Sequence, residues 1–119
     1  MQELLKATRA LSDETRLRIL NVLLERECCV CEVMQALEIS QSRASRNLGI
    51  LFNAGFLRTR RDGPWVLYSL DTESDNHVAV TLVNSLEGLL AGNEIAVLDR
   101  KRLAEAERVG PGCVSRNTG

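Results

Sequence analysis

The chain has 119 residues, enough for one domain, and its composition is 45% hydrophobic but only 3% aromatic. Such an aliphatic composition favours packed helices over a β-sandwich. The formal net charge of −1 excludes a general basic field, so any contact with nucleic acid must depend on a local basic patch.

The first residues lack the apolar core and the small-residue cleavage site of a secretory signal, and no stretch approaches the roughly 18–20 apolar residues that span a bilayer. We therefore expect a cytoplasmic protein without a membrane partner. The four cysteines would be mostly reduced in that compartment, which argues against a structural disulfide framework.

The chain begins with two predicted helices. The first, Gln2–Ala10, is short and weakly amphipathic. The second is capped by Ser12 or Asp13 and runs to about Glu25. Its apolar residues recur at helical spacing: Leu17, Leu20, Leu23 and Leu24.

A helix-turn-helix pattern follows the cysteine-rich stretch. A short helix after the cysteines ends at Glu38 and Ile39, and Ser40 then caps a helix from Gln41 to Ala54, which Gly55 terminates. The second helix has a predicted buried stripe with polar side chains on the opposite face. The stripe consists of Ala44, Leu48, Leu51 and Phe52.

The next segment is predicted to be a β-hairpin, because Phe56–Arg61 and Trp65–Leu70 flank an Asp62-Gly63 turn signal. A hairpin directly after a helix-turn-helix is a wing. Two further helices, from Thr72 to Ala91 and from Glu94 to about Val109, complete the pattern. The predicted fold is mainly α with a small β-hairpin: a winged helix-turn-helix domain at residues 1–109, followed by a flexible tail at residues 110–119.

A local basic patch coincides with this unit. Residues 40–62 contain five arginines and a single acid, Asp62. Arginine suits phosphate and guanine because its planar fork donates two hydrogen bonds at once. An isolated run of charge is more often a solvated helix face, but a turn, a second helix and a wing in register favour duplex DNA. We expect DNA binding to need no cofactor. The residues predicted to contact DNA are Gln41, Ser42, Arg43, Ser45, Arg46, Asn47, Arg58, Arg60 and Arg61. The three wing arginines are expected to reach phosphate, which positions a protein on DNA without specifying sequence.

Three of the four cysteines, Cys28, Cys29 and Cys31, fall within four consecutive positions. Thiolates are soft ligands that select soft or borderline ions, and a helix N-terminus is expected to lower a thiol pKa. If the stretch is extended, Cys29 and Cys31 share a side and Cys28 points away; if it is helical, Cys28 and Cys31 are neighbours. The alternative is that Cys28 and Cys29 are small buried apolar residues. The clustering favours ligation or redox chemistry.

The terminal helices are predicted to form a symmetric homodimer, because a small winged helix cannot cover both of them. The leucines expected in that interface are Leu4, Leu5, Leu82, Leu86, Leu89 and Leu90.

The motifs resemble those of the ArsR/SmtB winged-helix repressors, in family order. The matching stretches are Leu11–Leu20 (opening helix), Cys29–Val33 (arsenic-responsive metal box), Gln41-Ser42 and Ser45–Leu48 (recognition helix), Ala54–Leu57 (helix end) and Gly63–Tyr68 (wing). The resemblance implies a homodimeric repressor, not an enzyme. It also implies that arsenite or antimonite, bound by cysteine thiolates, releases the operator.

Two residues depart from the arsenic-responsive pattern. Met34 stands where a third cysteine is usual, and Asn47 replaces a common histidine. The third thiolate is therefore expected to be Cys28 or Cys113, of which Cys28 is favoured because strain at the cluster would act directly on the recognition helix. The alternative function is a repressor on the same fold that responds to thiol oxidation or to another soft metal.

Overall fold

The computed structural model of the protein describes residues 1–109; the predicted flexible tail at residues 110–119, and Cys113 with it, lie outside the described residues. Six helices and one hairpin follow one another along the chain. They are α1 (Gln2–Leu11), α2 (Glu14–Glu25), α3 (Val30–Leu37), α4 (Gln41–Asn53), β1 (Leu57–Asp62), β2 (Trp65–Leu70), α5 (His77–Leu90) and α6 (Glu94–Glu105). The prediction of a mainly α fold with a small wing is confirmed.

Side-chain caps fix the ends of the helix-turn-helix. The Asp13 carboxylate accepts a hydrogen bond from the Arg16 backbone N–H at 3.1 Å, and the Ser40 hydroxyl accepts one from Arg43 N–H at 3.2 Å. Between α3 and α4 the chain turns through Glu38, which adopts the left-handed conformation at φ 57°. These local signals place α4 across α3 as the second helix of the motif.

The hairpin turns one residue later than the Asp62-Gly63 signal predicts: Asp62 pairs with Trp65 as the last residue of β1, and the loop residues are Gly63, at φ 61°, and Pro64. Strand β1 begins one residue later than predicted, because the Phe56 backbone instead bonds Leu51 and Asp71. Directly paired residues lie on the same side of a hairpin, so the register defines two faces. We call them the helix face (Leu57, Thr59, Arg61, Val66, Tyr68 and Leu70) and the cysteine face (Arg58, Arg60, Asp62, Trp65, Leu67 and Ser69).

Helix α5 begins at His77, not at the predicted Thr72, and its cap is Asn76. The Asp71 carboxylate accepts from Glu73 N–H and the Ser74 hydroxyl accepts from Asn76 N–H. These short side chains hold the backbone in turns that compete with the helix. Helix α6 also ends earlier than the predicted limit near Val109, since the chain becomes extended at Ala106.

One apolar core joins the helices to the base of the hairpin. Helix α6 is fastened to the core by Asp99, which is fully buried and accepts from Arg18 at 2.8 Å and from Arg102 at 2.8 Å. The predicted stripe of α4 is correct for Ala44, Leu48 and Leu51 but wrong for Phe52, which is 45% exposed. Phe52 lies at the last turn of α4, where its side chain borders the groove against the hairpin. No helix in residues 1–109 is long and apolar enough to cross a membrane.

Candidate nucleic-acid interface and cysteine site

Helix α4 presents a polar face to solvent. Ser42, Ser45 and Arg46 are exposed on it, and Gly49 continues it without a side chain. Arg43 is also exposed, but one of its guanidinium nitrogens donates to the Thr15 hydroxyl at 2.7 Å. Arg46 is therefore accessible to DNA, and its guanidinium has the donor geometry that suits phosphate and guanine.

Asn47 lies behind this face and is only 4% exposed. Its side-chain oxygen accepts from Arg16 at 3.0 Å, and its amide nitrogen donates to the Arg43 carbonyl at 2.9 Å. Both polar groups of Asn47 are thus used to join α4 to α2. A contact between Asn47 and DNA stays a prediction. It requires Asn47 to break its hydrogen bond with Arg16 or with the Arg43 carbonyl and to form one with DNA instead.

The alternation of the hairpin separates the three wing arginines. Arg61 projects from the helix face, which lines a groove against Gly49 and Phe52, and it makes no ion pair with any residue of 1–109. Arg58 and Arg60 project from the cysteine face. Arg58 lies 3.5 Å from the Glu73 carboxylate, and Arg60 donates two hydrogen bonds to Glu27, one of them at 3.0 Å.

Cys29 and Cys31 converge at the N-terminus of α3, with their sulfur atoms 2.7 Å apart. Cys29 is the N-cap in extended conformation, and Cys31 lies in the first turn. Both sulfurs are buried beside Leu67 of the cysteine face, and Trp65 and Val109 pack around the same small cluster. Within residues 1–109 no three His, Cys, Asp or Glu side chains are arranged to hold a metal ion, so the described part of this site is a pair.

Cys28 points the other way. Its backbone N–H and carbonyl form an antiparallel bridge with Tyr68, at 3.0 and 2.8 Å, which pairs Cys28 alone with the outer edge of β2. Successive side chains of extended backbone alternate, so the Cys28 sulfur enters the main core while Cys29 enters the cluster with Leu67. The Cys28 thiol donates to the Arg26 carbonyl at 3.4 Å, and burial raises its pKa to about 12.

The expectation that the helix N-terminus lowers the thiol pKa of the cysteines is wrong for Cys29. Burial raises the pKa of the Cys29 thiol, and hydrogen bonding to backbone N–H groups opposes that rise only in part. The nearby Glu32 carboxylate adds to the rise. Glu32 is itself 4% exposed, accepts from Cys29 N–H at 3.0 Å and pairs with Arg26 at 2.6 Å. The Cys29 thiol therefore keeps its proton at neutral pH.

Two residues at this site, Glu32 and Arg108, are not among those predicted from the sequence. Glu32 stands three positions after the cap residue Cys29, which is the spacing of a capping box and was readable from the sequence. Arg108 reaches the Glu32 carboxylate at 3.4 Å from beyond α6. No local pattern signals a contact between residues 76 positions apart.

The leucines predicted to form a dimer interface divide into two groups. Leu4 and Leu5 of α1 and Leu89 of α5 are exposed, Leu89 by 76%. Leu82 and Leu90 pack partly against the chain's own core, and Leu86 is buried in it. The exposed group leaves an apolar surface on α1 and α5.

Comparison with known proteins gives one consistent family. Residues 13–59 match the model of the bacterial regulatory protein arsR family. The arsenic resistance transcriptional regulator ArsR1 of Pseudomonas putida is 42% identical over 98 residues, which cover 82% of this chain and 74% of that protein.

Solved structures agree with the fold. The transcriptional repressor BigR of Xylella fastidiosa superposes with a TM-score of 0.66 at 32% identity, over 78% of this chain and 88% of that one. Reduced HlyU of Vibrio cholerae superposes with a TM-score of 0.64 at 32% identity, over 76% of this chain and 90% of that one.

Proposed function

We propose that this chain, which belongs to the arsR family of bacterial transcriptional regulators, is a repressor that leaves its operator when arsenite or antimonite binds its cysteines. The family consists of DNA-binding regulators, and the chain is not an enzyme. The observation that carries the proposal is the convergence of the Cys29 and Cys31 sulfurs in a buried cluster that includes the wing residue Leu67.

Trivalent arsenic reacts with cysteine in its reduced form, whether or not the thiol is ionised beforehand. Arsenous acid carries three hydroxyl groups on arsenic, and each As–S bond replaces one As–O bond. The proton of the thiol leaves with the displaced hydroxide as water, and no atom is oxidised or reduced. The raised pKa of Cys29 is therefore no obstacle, because the reaction needs no free thiolate in advance. Two sulfurs at about 2.3 Å from one shared ion lie roughly 3.3–3.8 Å apart, so the pair at 2.7 Å needs to open by only about 1 Å.

The third sulfur is proposed to be Cys113. Cys28 was the favoured candidate, but its side chain enters the main core and its backbone is bonded to Tyr68 on both sides. Bringing it to the pair would break that bridge. Val109 packs against the cysteine pair, and a four-residue span can reach at most about 14 Å. Cys113 is thus within reach of the site by chain length.

Operator binding is proposed to use the polar face of α4 in the major groove and, from the wing, Arg61 on the phosphate backbone. The exposed residues Leu4, Leu5 and Leu89 support a homodimer through α1 and α5, which would place two α4 helices on half-sites about one DNA turn, ~34 Å, apart. Sedimentation at rising protein concentration would test the dimer.

The sensing site is tested by operator release. Fluorescence anisotropy of labelled operator DNA is followed with and without arsenite for the parent chain and for Cys29→Ser, Cys31→Ser, Cys113→Ser and Cys28→Ala. We expect arsenite to weaken parent binding by roughly 5–150-fold, the usual range of such coupling, and to have no effect on the first three variants. Cys28→Ala is the matched control and should respond like the parent.

Normal release by both Cys29→Ser and Cys31→Ser would place sensing elsewhere. If Cys28→Ala loses the response while Cys113→Ser keeps it, Cys28 closes the site.

A second function, release by thiol oxidation, uses the same sulfurs. It is favoured by the short distance between Cys29 and Cys31 and by the similarity to a regulator solved in a reduced form. The same titration with hydrogen peroxide in place of arsenite distinguishes the two. Release by peroxide that dithiothreitol reverses, together with binding unchanged by arsenite, would identify the redox function.

A further inference from the structure

Residues 106–109, which we call the strap, run from the end of α6 between the start of α3 and the hairpin. A single side chain, Gln35, bonds both backbone groups of Glu107: its amide donates to the carbonyl at 2.6 Å, and its oxygen accepts from the N–H at 3.1 Å. The Trp65 indole N–H then donates to the Val109 carbonyl at 3.2 Å. The strap is thus fastened to α3 at one end and to the wing at the other.

Arg108 makes the central contacts of the strap. Its guanidinium lies 3.4 Å from the Glu32 carboxylate and 3.0 Å from the Asp62 carboxylate, and it stands over the Trp65 ring at 5.9 Å. Glu32 caps the helix that carries the cysteine pair, whereas Asp62 and Trp65 are the paired residues next to the hairpin turn. One side chain therefore connects the sensing site to the tip of the wing.

The strap also touches the sulfurs themselves. Val109 packs in the cluster of Cys29, Cys31 and Leu67, and the Cys31 sulfur lies 3.9 Å from the Glu107 carbonyl. An ion bound across the pair has to fit among these neighbours. Since the cluster is buried and close-packed, its expansion displaces the strap or the hairpin.

We propose that Arg108 is the positioning residue that transmits occupancy of the cysteine pair to the wing. This inference rests on the proposed function. Without inducer, Arg108 holds the wing tip to the capped start of α3, in the position that fits DNA. With inducer, the strap shifts, the Arg108–Asp62 pair opens, and the hairpin leaves that position. The two states differ in their affinity for both ligands, which is the requirement for coupling.

The test separates inducer binding from its effect. Arsenite binding is measured by protection of thiols from alkylation, and operator affinity is measured with and without arsenite; the ratio of the two affinities is the coupling factor. For Arg108→Gln we expect arsenite binding within about 2-fold of the parent and a coupling factor that falls to about 2 or below. Arg108→Lys keeps the charge but not the fork that reaches two carboxylates, and should recover only part of the coupling.

The matched control is Arg100→Gln. Arg100 also pairs with two carboxylates, those of Glu25 and Glu87, but these lie on α2 and α5. This variant should keep the parent coupling factor. A parent-like coupling factor in Arg108→Gln would overturn the role of Arg108. A parent chain that fails to bind arsenite, or binds it without losing operator affinity, would instead refute the proposed function.

Discussion

The two faces of the hairpin have different surroundings, although they belong to the same twelve strand residues. The helix face borders a groove with the last turns of α4, where Val66 and Phe52 remain exposed. The cysteine face covers the sulfur pair with Leu67 and forms ion pairs through Arg58, Arg60 and Asp62. One face is thus open toward the DNA-binding helix, and the other is closed over the sensing site.

This difference shows how a small hairpin can be both a DNA contact and a receiver of the inducer signal. Successive side chains along a strand point to opposite faces of the sheet. Two adjacent residues can therefore serve different functions on opposite sides of the hairpin. The adjacent cysteines follow the same rule, with Cys28 in the main core and Cys29 in the sulfur cluster. A change confined to one face should therefore leave the other largely intact.

Neighbouring truncations on β2 give the largest expected contrast. Leu67 is fully buried on the cysteine face, whereas Val66 is 36% exposed on the helix face. Leu67→Ala should lower the free energy of unfolding by about 2–4 kcal/mol, because it leaves a cavity beside the sulfurs. Val66→Ala should lower it by less than about 1 kcal/mol. Urea denaturation at one fixed protein concentration measures both; equal losses would mean that the two faces are packed alike.

The protonation of Cys28 should produce a smaller, pH-dependent difference. Burial raises the pKa of Cys28 from 9.0 to about 12, so between these values the unfolded chain loses a proton that the folded chain keeps. The unfolded state then binds fewer protons, and stability falls as pH rises, by at most about 1.4 kcal/mol per pH unit from this group. Below pH 9 the contribution is constant.

Cys28→Ala supplies the reference for that measurement. The parent chain should lose stability relative to Cys28→Ala as the pH is raised from 9 to 10.5 in urea titrations. A parallel pH dependence in the two proteins would show that the Cys28 thiol ionises in the folded state, and hence that it does not belong to the buried side of the sheet.

Most of the fold was accessible from local sequence signals. Ser40 and Asp13 cap helices where predicted, and the hairpin turns within one residue of the Asp62-Gly63 signal, because each signal acts within a few residues. The start of α5 was not accessible in this way. The side chains of Asp71 and Ser74 accept hydrogen bonds from nearby backbone N–H groups and hold this segment in turns instead of a helix. Propensity describes an average residue and does not weigh such competing hydrogen bonds.

The candidate site was accessible only in part. The cysteine cluster and the polar face of α4 are dense in sequence and were found. The burial of Asn47 depends on Arg16, and the position of the strap depends on Gln35 and Glu32, which are distant in sequence. Strand β1 carries arginines on both faces, so no apolar alternation indicated which arginine faces α4.

The smallest expected contrast concerns the two neighbouring wing arginines and DNA. Arg61 projects from the helix face without an ion pair among residues 1–109, whereas Arg60 is held by Glu27. Arg61→Gln should weaken operator binding by about 3–10-fold and reduce the slope of log K against log salt by ~0.9, the loss of one phosphate contact. Arg60→Gln should weaken binding by less than about 2-fold. Arg60 can bind a phosphate only if its ion pair with Glu27 breaks, and the two interactions largely offset each other.

The Glu27→Gln variant decides whether the ion pair is the cause. The Arg60 guanidinium, hydrogen-bonded to Glu27, holds the pKa of that carboxyl below its ordinary value, so Glu27 is charged at neutral pH and competes with phosphate for Arg60. Removing the charge should strengthen operator binding slightly, and Arg60→Gln made in that background should then weaken it as much as Arg61→Gln does. If Arg60→Gln has the larger effect in the parent chain, the cysteine face contacts DNA directly, and the division of the hairpin into an open and a closed face is wrong.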